Sequence, residues 1–219
     1  GRIVDQTSFG PTAATVQHVA NIGMAAYLQA QFAATPTLMP QIPTNPLPAL
    51  CVSGTATTCA QSYFWGNAIN GPDQLRQRVA FALSEMFVVS TQSVPGQGIP
   101  SFYNNLVNDA FGNFYTLMKD VSLSPAMGYY LNMVTSEKEN PKTGAHPNEN
   151  YAREVMQLFS IGLVQLNLDG TPRRDGAGQP LPSYNEDVVK GVAQSFTGWT
   201  CAGSAHFHDR DLSSDVNWV

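Results

Sequence analysis

The sequence predicts a mainly α fold: a multi-helix globular domain with one small β-hairpin excursion and a long proline-rich connector. Three observations carry this. Apolar residues recur at helical spacing through most of the 219 residues. Pro36, Pro40, Pro43, Pro46 and Pro48 crowd one stretch, a density that excludes helix and central strand. A third stretch, 164–183, alternates apolar and polar residues and turns on Asp169-Gly170 and Asp175-Gly176. No internal repeat or second domain is visible, so a single helical domain is expected over 1–219.

The first helix is expected from about Thr12 to Phe32, with Pro11 suited to its start. Val16, Val19, Met24, Leu28 and Phe32 make an apolar stripe. Gly23 interrupts it, so two shorter helices are the alternative. His18 sits mid-helix and reads as a polar-face residue. The connector, 35–49, reads as a segment that wraps its own domain or docks a partner. Cys51 and Cys59 flank a polar loop containing Gly54, and a disulfide between them is expected. Cys201 has no obvious partner in the sequence.

The clearest helix is 73–90. Asp73 stands near its start, and Leu75, Val79, Ala82, Leu83 and Met86 form the expected core stripe. Trp65 is expected to pack against it. Residues 99–134 read as two or three helices broken near Gly112 and Pro125. The polar loop "SEKENPKTGAHP" then delivers the chain to a helix from Asn148 to Leu163. The hairpin excursion follows at 164–183. "NEDVVKGVAQSFTGW" returns to helix, with Val188, Val192, Phe196 and Trp199 on one side.

Composition narrows function. The chain is 43% hydrophobic and only 12% charged, with net charge -5 and no basic stripe. Nucleic-acid binding therefore lacks its electrostatic footprint. No apolar run is long enough for a membrane-spanning helix. Low charge with abundant Asn, Gln, Ser, Thr and Pro, together with the expected disulfide, points to a secreted, periplasmic or cell-surface protein.

Against that sparse background, "HPNENYAREVMQLFSIGL" places Glu149, Arg153 and Glu154 beside an apolar helix face. Glu149 and Arg153 are four apart with the acid first, the favourable order. Helix 73–90 supplies Arg76, Arg78 and Glu85. The six charges balance. One expectation is a buried or half-buried Arg–Glu network joining the two helices. The alternative is a site: Glu149 or Glu154 as general acid or base, Arg153 orienting an oxyanion, and Asn148 and Asn150 binding substrate. Glu149 and Glu154 lie five apart on diverging faces, which weakens both a catalytic pair and a chelating pair.

A second candidate is "HFHDRD". His206, His208, Asp209 and Asp211 are metal-ligand types close together, but their order departs from the His-x-His-x-Asp-His of binuclear zinc hydrolases. Ser160 in "FSIG" lacks the leading Gly of a nucleophile elbow. No phosphate-cradling loop precedes a helix. No cofactor is expected.

"SFGPTAATV", "DQLRQRVAFALSEMFVVS", "DAFGNFYTLMKDVSLSPAMGYYL", "PNENYAREVMQLFSIGLVQLNLDGTP" and "VAQSFTGWT" resemble, in this order, the bacterial domain-of-unknown-function family numbered 1800, over roughly residues 8 to 200. The resemblance implies a large, mainly helical, exported bacterial protein, often found near a sulfatase-like partner family. It implies that this chain is the amino-terminal portion of a longer domain. Many members have His where this chain has Phe159, so no role for that His carries over. The resemblance implies no reaction. Two function classes remain. One is a binding or assembly protein acting with a surface protein or polymer. The other is a hydrolase of ester, sulfate ester or glycan using Glu149, Arg153 and Glu154.

Overall fold

Ten α-helices form among the residues that the computed structural model describes, 1–43, 46–51, 54–202 and 206–207. They are α1 (Arg2–Thr7), α2 (Ala13–Ile22), α3 (Met24–Ala33), α4 (Ala56–Asn70), α5 (Gln74–Met86), α6 (Gly98–Asp109), α7 (Phe114–Ser122), α8 (Pro125–Tyr130), α9 (Asn150–Gln157) and α10 (Glu186–Ser195). The mainly helical class is thus as expected. The chain gathers into two compact units, Gly1–Ala126 and Met127–Val219.

In the first unit, α5 and α6 pack together and α1, α3 and α4 lean on α5. The long first helix is split as the alternative had it. Gly23 takes φ 83°, a left-handed conformation that glycine adopts without penalty, and its N–H closes α2 on the Val19 carbonyl. Val4, Val19 and Tyr27 form a small apolar cluster where α1 meets this pair. The predicted stripe is only partly inward: Met24 and Phe32 are exposed.

The buried face of α5 differs from the expected one. Arg76, Gln77 and Ala80 are buried, together with Asp73 just ahead of the helix, while Met86 is exposed. For Asp73 and Gln77 the reason lies in residues 35–43, which form neither helix nor strand. Their polar backbone needs partners, and polar side chains supply them. The Asp73 carboxylate accepts the Thr37 N–H at 2.9 Å and the Thr37 hydroxyl at 2.5 Å. The Gln77 amide donates to the Thr37 carbonyl at 2.9 Å. Asn104 grips Met39 at both its N–H and its carbonyl, each at 2.8 Å. Cys51 and Cys59 are bonded, and the bridge is buried with Ile42 and Ala60. Gly96 lies so close to the start of α4 that a Cβ there would fall 2.3 Å from the Thr57 nitrogen. Trp65, expected against helix 73–90, is 58% exposed and meets Phe64 edge-on.

In the second unit α9 packs on α10, with Tyr151 edge-on to Phe196 at 4.9 Å. α9 ends at Gln157 rather than Leu163. The Ser160 hydroxyl takes the Val155 carbonyl and the Gly162 N–H takes the Met156 carbonyl, so the chain turns away. Between 164 and 183 the contacts are isolated antiparallel bridges: Val164 with Pro182, Leu166 with Pro172, and Arg174 with Pro180. Three prolines without N–H groups deny the segment a continuous ladder. Instead Gln165 donates to Leu181, Leu181 to Arg173 and Arg173 to Gln165, closing three short segments on one another. Cys201 is buried. Among the described residues, no helix is long and apolar enough to cross a membrane.

Candidate functional site

The start of α9 is fixed by its own sequence. The Asn148 side-chain oxygen accepts the Asn150 N–H at 3.0 Å, and the Asn148 N–H donates to the Ser136 hydroxyl at 2.9 Å. Asn148 and Asn150 therefore shape the turn into the helix. Glu149 follows, and its carboxylate meets Arg153 at 2.6 Å, the i,i+4 pair expected from spacing. Arg153 also pairs with Glu186. Glu186 opens α10, where the Asn185 side chain accepts the Val188 N–H and the helix dipole favours an acid. Glu186 and Glu149 together hold the Arg153 guanidinium above its ordinary range. Glu154 is half-buried, and its Oε2 is buried with no hydrogen-bond partner among the described residues.

The other expected site residues belong to the first unit. Arg76 donates from Nη1 to the Val107 and Asn108 carbonyls at 3.1 and 3.4 Å and lies 4.5 Å over the Phe111 ring, so it caps the end of α6. Arg78 lies 5.2 Å over the Phe9 ring, and Glu85 is exposed. Of "HFHDRD", His206 is described; His208, Asp209 and Asp211 lie outside the described residues. Among the described residues, no group of three or more His, Cys, Asp and Glu is placed to hold a metal ion.

Among the described residues of the second unit, clefts of about 710, 400 and 290 Å³ open. They share walls. Glu139 lines the first and second, His146 the second and third, and Ser136 and Glu137 the first and third. The three adjoin one another, and Glu149 lines the middle cleft with Lys190 and Gln194. His146 Nδ1 stands 4.0 Å from Glu139 Oε1. Asn148 lines the smallest cleft, and Glu154 lines none of the three.

The wall of these clefts is strained. Thr135 takes φ 62° and Asn132 φ 57°, and both line the smallest cleft. A β-branched residue with positive φ is a true outlier and persists only where its surroundings over-determine it. Here they do. The Thr135 N–H donates to the Trp199 carbonyl at 2.8 Å and the Gly198 N–H to the Ser136 carbonyl at 2.9 Å.

Of the residues expected at a site, Glu149 and Asn148 line these clefts and Arg153 pairs with Glu149, while Glu139, His146, Lys190 and Glu186 were not among those expected. The available signal was the alternation Glu137-Lys138-Glu139 in a loop that runs straight into the charged helix.

Compared with known families, residues 2–216 match the family described as "Protein of unknown function (DUF1800)". No curated protein and no solved structure matches the chain.

Proposed function

The chain belongs to the DUF1800 family, and on that premise we propose that it is a binding module of an exported or cell-surface bacterial protein, engaging a surface protein or polymer along a groove of adjoining clefts in its second unit. One observation carries the reading. The three clefts share walls at Ser136, Glu137, Glu139 and His146. A run of three adjoining clefts suits an extended chain better than a single small molecule. The Arg153 geometry agrees. An arginine engaged on both sides, by Glu149 and Glu186, is a brace between α9 and α10 rather than a charge held ready for an oxyanion. The buried Cys51–Cys59 bridge favours an oxidising compartment and hence export.

The test is retention of the folded protein on insoluble cell-surface polymers, such as isolated sacculi and insoluble glycans. A Gln194→Trp variant would fill the middle cleft without altering charge. The parent is expected to be retained on at least one polymer and the variant to elute. Retention unchanged by Gln194→Trp overturns the groove as the site.

A second reading rests on Glu154. A buried carboxylate oxygen without a partner calls for an explanation, and acid–base catalysis is one. In that reading the chain is a hydrolase with Glu154 as acid or base beside Glu149 and Arg153. Glu154→Gln keeps the shape and removes the proton chemistry. If it folds normally and an esterase, sulfatase or glycosidase activity of the parent falls by about 10²–10⁴-fold, the hydrolase reading replaces the binding one.

A further inference from the structure

We propose that the extended segment around Val164 and Leu166 is a dimerisation edge, which pairs antiparallel with the same segment of a second copy of this chain about a two-fold axis at Gln165. The proposal stands apart from the clefts and from the binding reading. Its warrant is the hydrogen-bond pattern of the three short segments between 163 and 183. In an antiparallel pair a residue turns its N–H and its carbonyl to one side, and its two neighbours turn theirs to the other. Gln165 gives its N–H to the Leu181 carbonyl and takes the Arg173 N–H, so both of its groups face inward. Arg173 and Leu181 face inward as well, since the Leu181 N–H bonds the Arg173 carbonyl. The outward positions are the bridge residues: Val164 and Leu166, then Pro172 and Arg174, then Pro180 and Pro182.

Proline has no N–H, and at an outward position it stops another chain from pairing there. The second and third segments are blocked in this way. The first is not. Among the described residues, nothing hydrogen-bonds the N–H or the carbonyl of Val164 or Leu166. Charge, the other common guard of an edge, is missing too, since no residue from Val155 to Leu168 is charged. Leu163 and Leu166 are more than half exposed, and Leu168 is exposed completely.

The segment is its own complement. With the axis at Gln165, Val164 of each copy faces Leu166 of the other. Each of these two pairs exchanges N–H and carbonyl in both directions, so every open backbone group at the two positions finds a partner. Val164 and Leu166 share one face of the segment, so the four side chains meet as an apolar set. No like charges are brought together. The arrangement is isologous and closes at two copies. An edge this short gives a weak, reversible dimer.

The experiment is sedimentation velocity on the disulfide-intact chain from micromolar to millimolar concentration. The average mass is expected to rise from that of one chain toward that of two and to stop there. Leu166→Pro places at this edge what already guards the other two, and it removes an N–H that bonds nothing within the chain. It should stay a single chain throughout, with its melting temperature unchanged. The register has its own check, which holds even if Leu166→Pro folds poorly. Gln165 faces Gln165 across the axis with Cα atoms about 4.5 Å apart, within the roughly 4.4–6.8 Å that a disulfide spans. Gln165→Cys should therefore cross-link to a dimer under diamide much faster than Leu168→Cys, although Leu168 is the more exposed residue. A parent that remains a single chain at millimolar concentration overturns the proposal. So does a folded Leu166→Pro variant that dimerises as the parent does, or Leu168→Cys cross-linking as fast as Gln165→Cys. If the parent stays single yet binds a labelled peptide of alternating Val and Thr, the edge receives a partner's strand and the pairing of two copies is wrong.

Discussion

Asp73 holds the proline-rich segment to the first unit, and removing it should be costly. Its side chain is fully buried. The carboxylate accepts from the Thr37 N–H at 2.9 Å, the Thr37 hydroxyl at 2.5 Å and the Gln77 amide at 3.0 Å. Asp73→Ala deletes a charged acceptor and strands the Thr37 donors. Each buried group left unsatisfied costs about 1–3 kcal/mol. Thr37 lies at the edge of the unit, where water can relieve part of this. We therefore expect a loss of about 3–4 kcal/mol. For a chain of this size that corresponds to a fall of roughly 6–16 °C in melting temperature. Asp73→Asn keeps one acceptor and should lose about half as much. Circular dichroism melts of both variants, with Thr37→Val and the double variant to complete a cycle, would measure the coupling. If Asp73→Ala melts within about 2 °C of the parent, a shift worth under 1 kcal/mol by the same scale, the clamp contributes little and the explanation of the buried polar face of α5 is wrong.

Two further outcomes follow from the structure. Burial, then the neighbouring Asp120 charge, then a shared hydrogen bond with Asp120 push the Asp109 carboxyl above its usual range. A raised folded-state value means that the folded protein binds this proton more tightly. Its contribution is complete below the unfolded value of about 3.9 and is lost as pH rises through the folded one. Asp109→Asn should accordingly be more stable than the parent at pH 7, with the difference closing near pH 4; denaturant melts at both pH values would show it, and a variant less stable at pH 7 would contradict the pair. Thr135→Gly removes about 1–2 kcal/mol of left-handed strain and costs about 0.5–1 kcal/mol in unfolded-chain entropy. It should leave melting unchanged or slightly raised, whereas a clear loss would mean that the Thr135 side chain stabilises the groove wall.

Much of the helical order was legible because its punctuation is local. Gly23 and Pro125 mark helix boundaries through backbone geometry that each residue imposes on itself. The inward face of α5 was not legible. Periodicity selects Leu75, Val79, Leu83 and Met86, yet Asp73 and Gln77 are buried because the distant segment at Thr37 needs their hydrogen bonds, and Arg76 because it serves the carbonyls at the end of α6. The end of α9 was missed for a related reason: Leu158, Ile161 and Leu163 continue an apolar pattern, but Ser160 and Gly162 fold the chain back. At the site, the Glu149–Arg153 pair follows from spacing alone. Its third member, Glu186, lies 33 residues further on, and no local pattern announces it. The groove residues were passed over because a run of Glu, Lys and Asn without apolar neighbours reads as solvated loop. Only the fold shows that this loop, with Lys190 and Gln194 of α10, encloses a space.

Hydrogen–deuterium exchange on the protein bound to the polymer that retains it tests the groove most directly. The groove reading predicts slowed exchange in residues 134–149 and 190–198, with the segment from 164 to 183 unchanged. Slowed exchange confined to the first unit, with residues 134–149 and 190–198 exchanging as in the free protein, would contradict it.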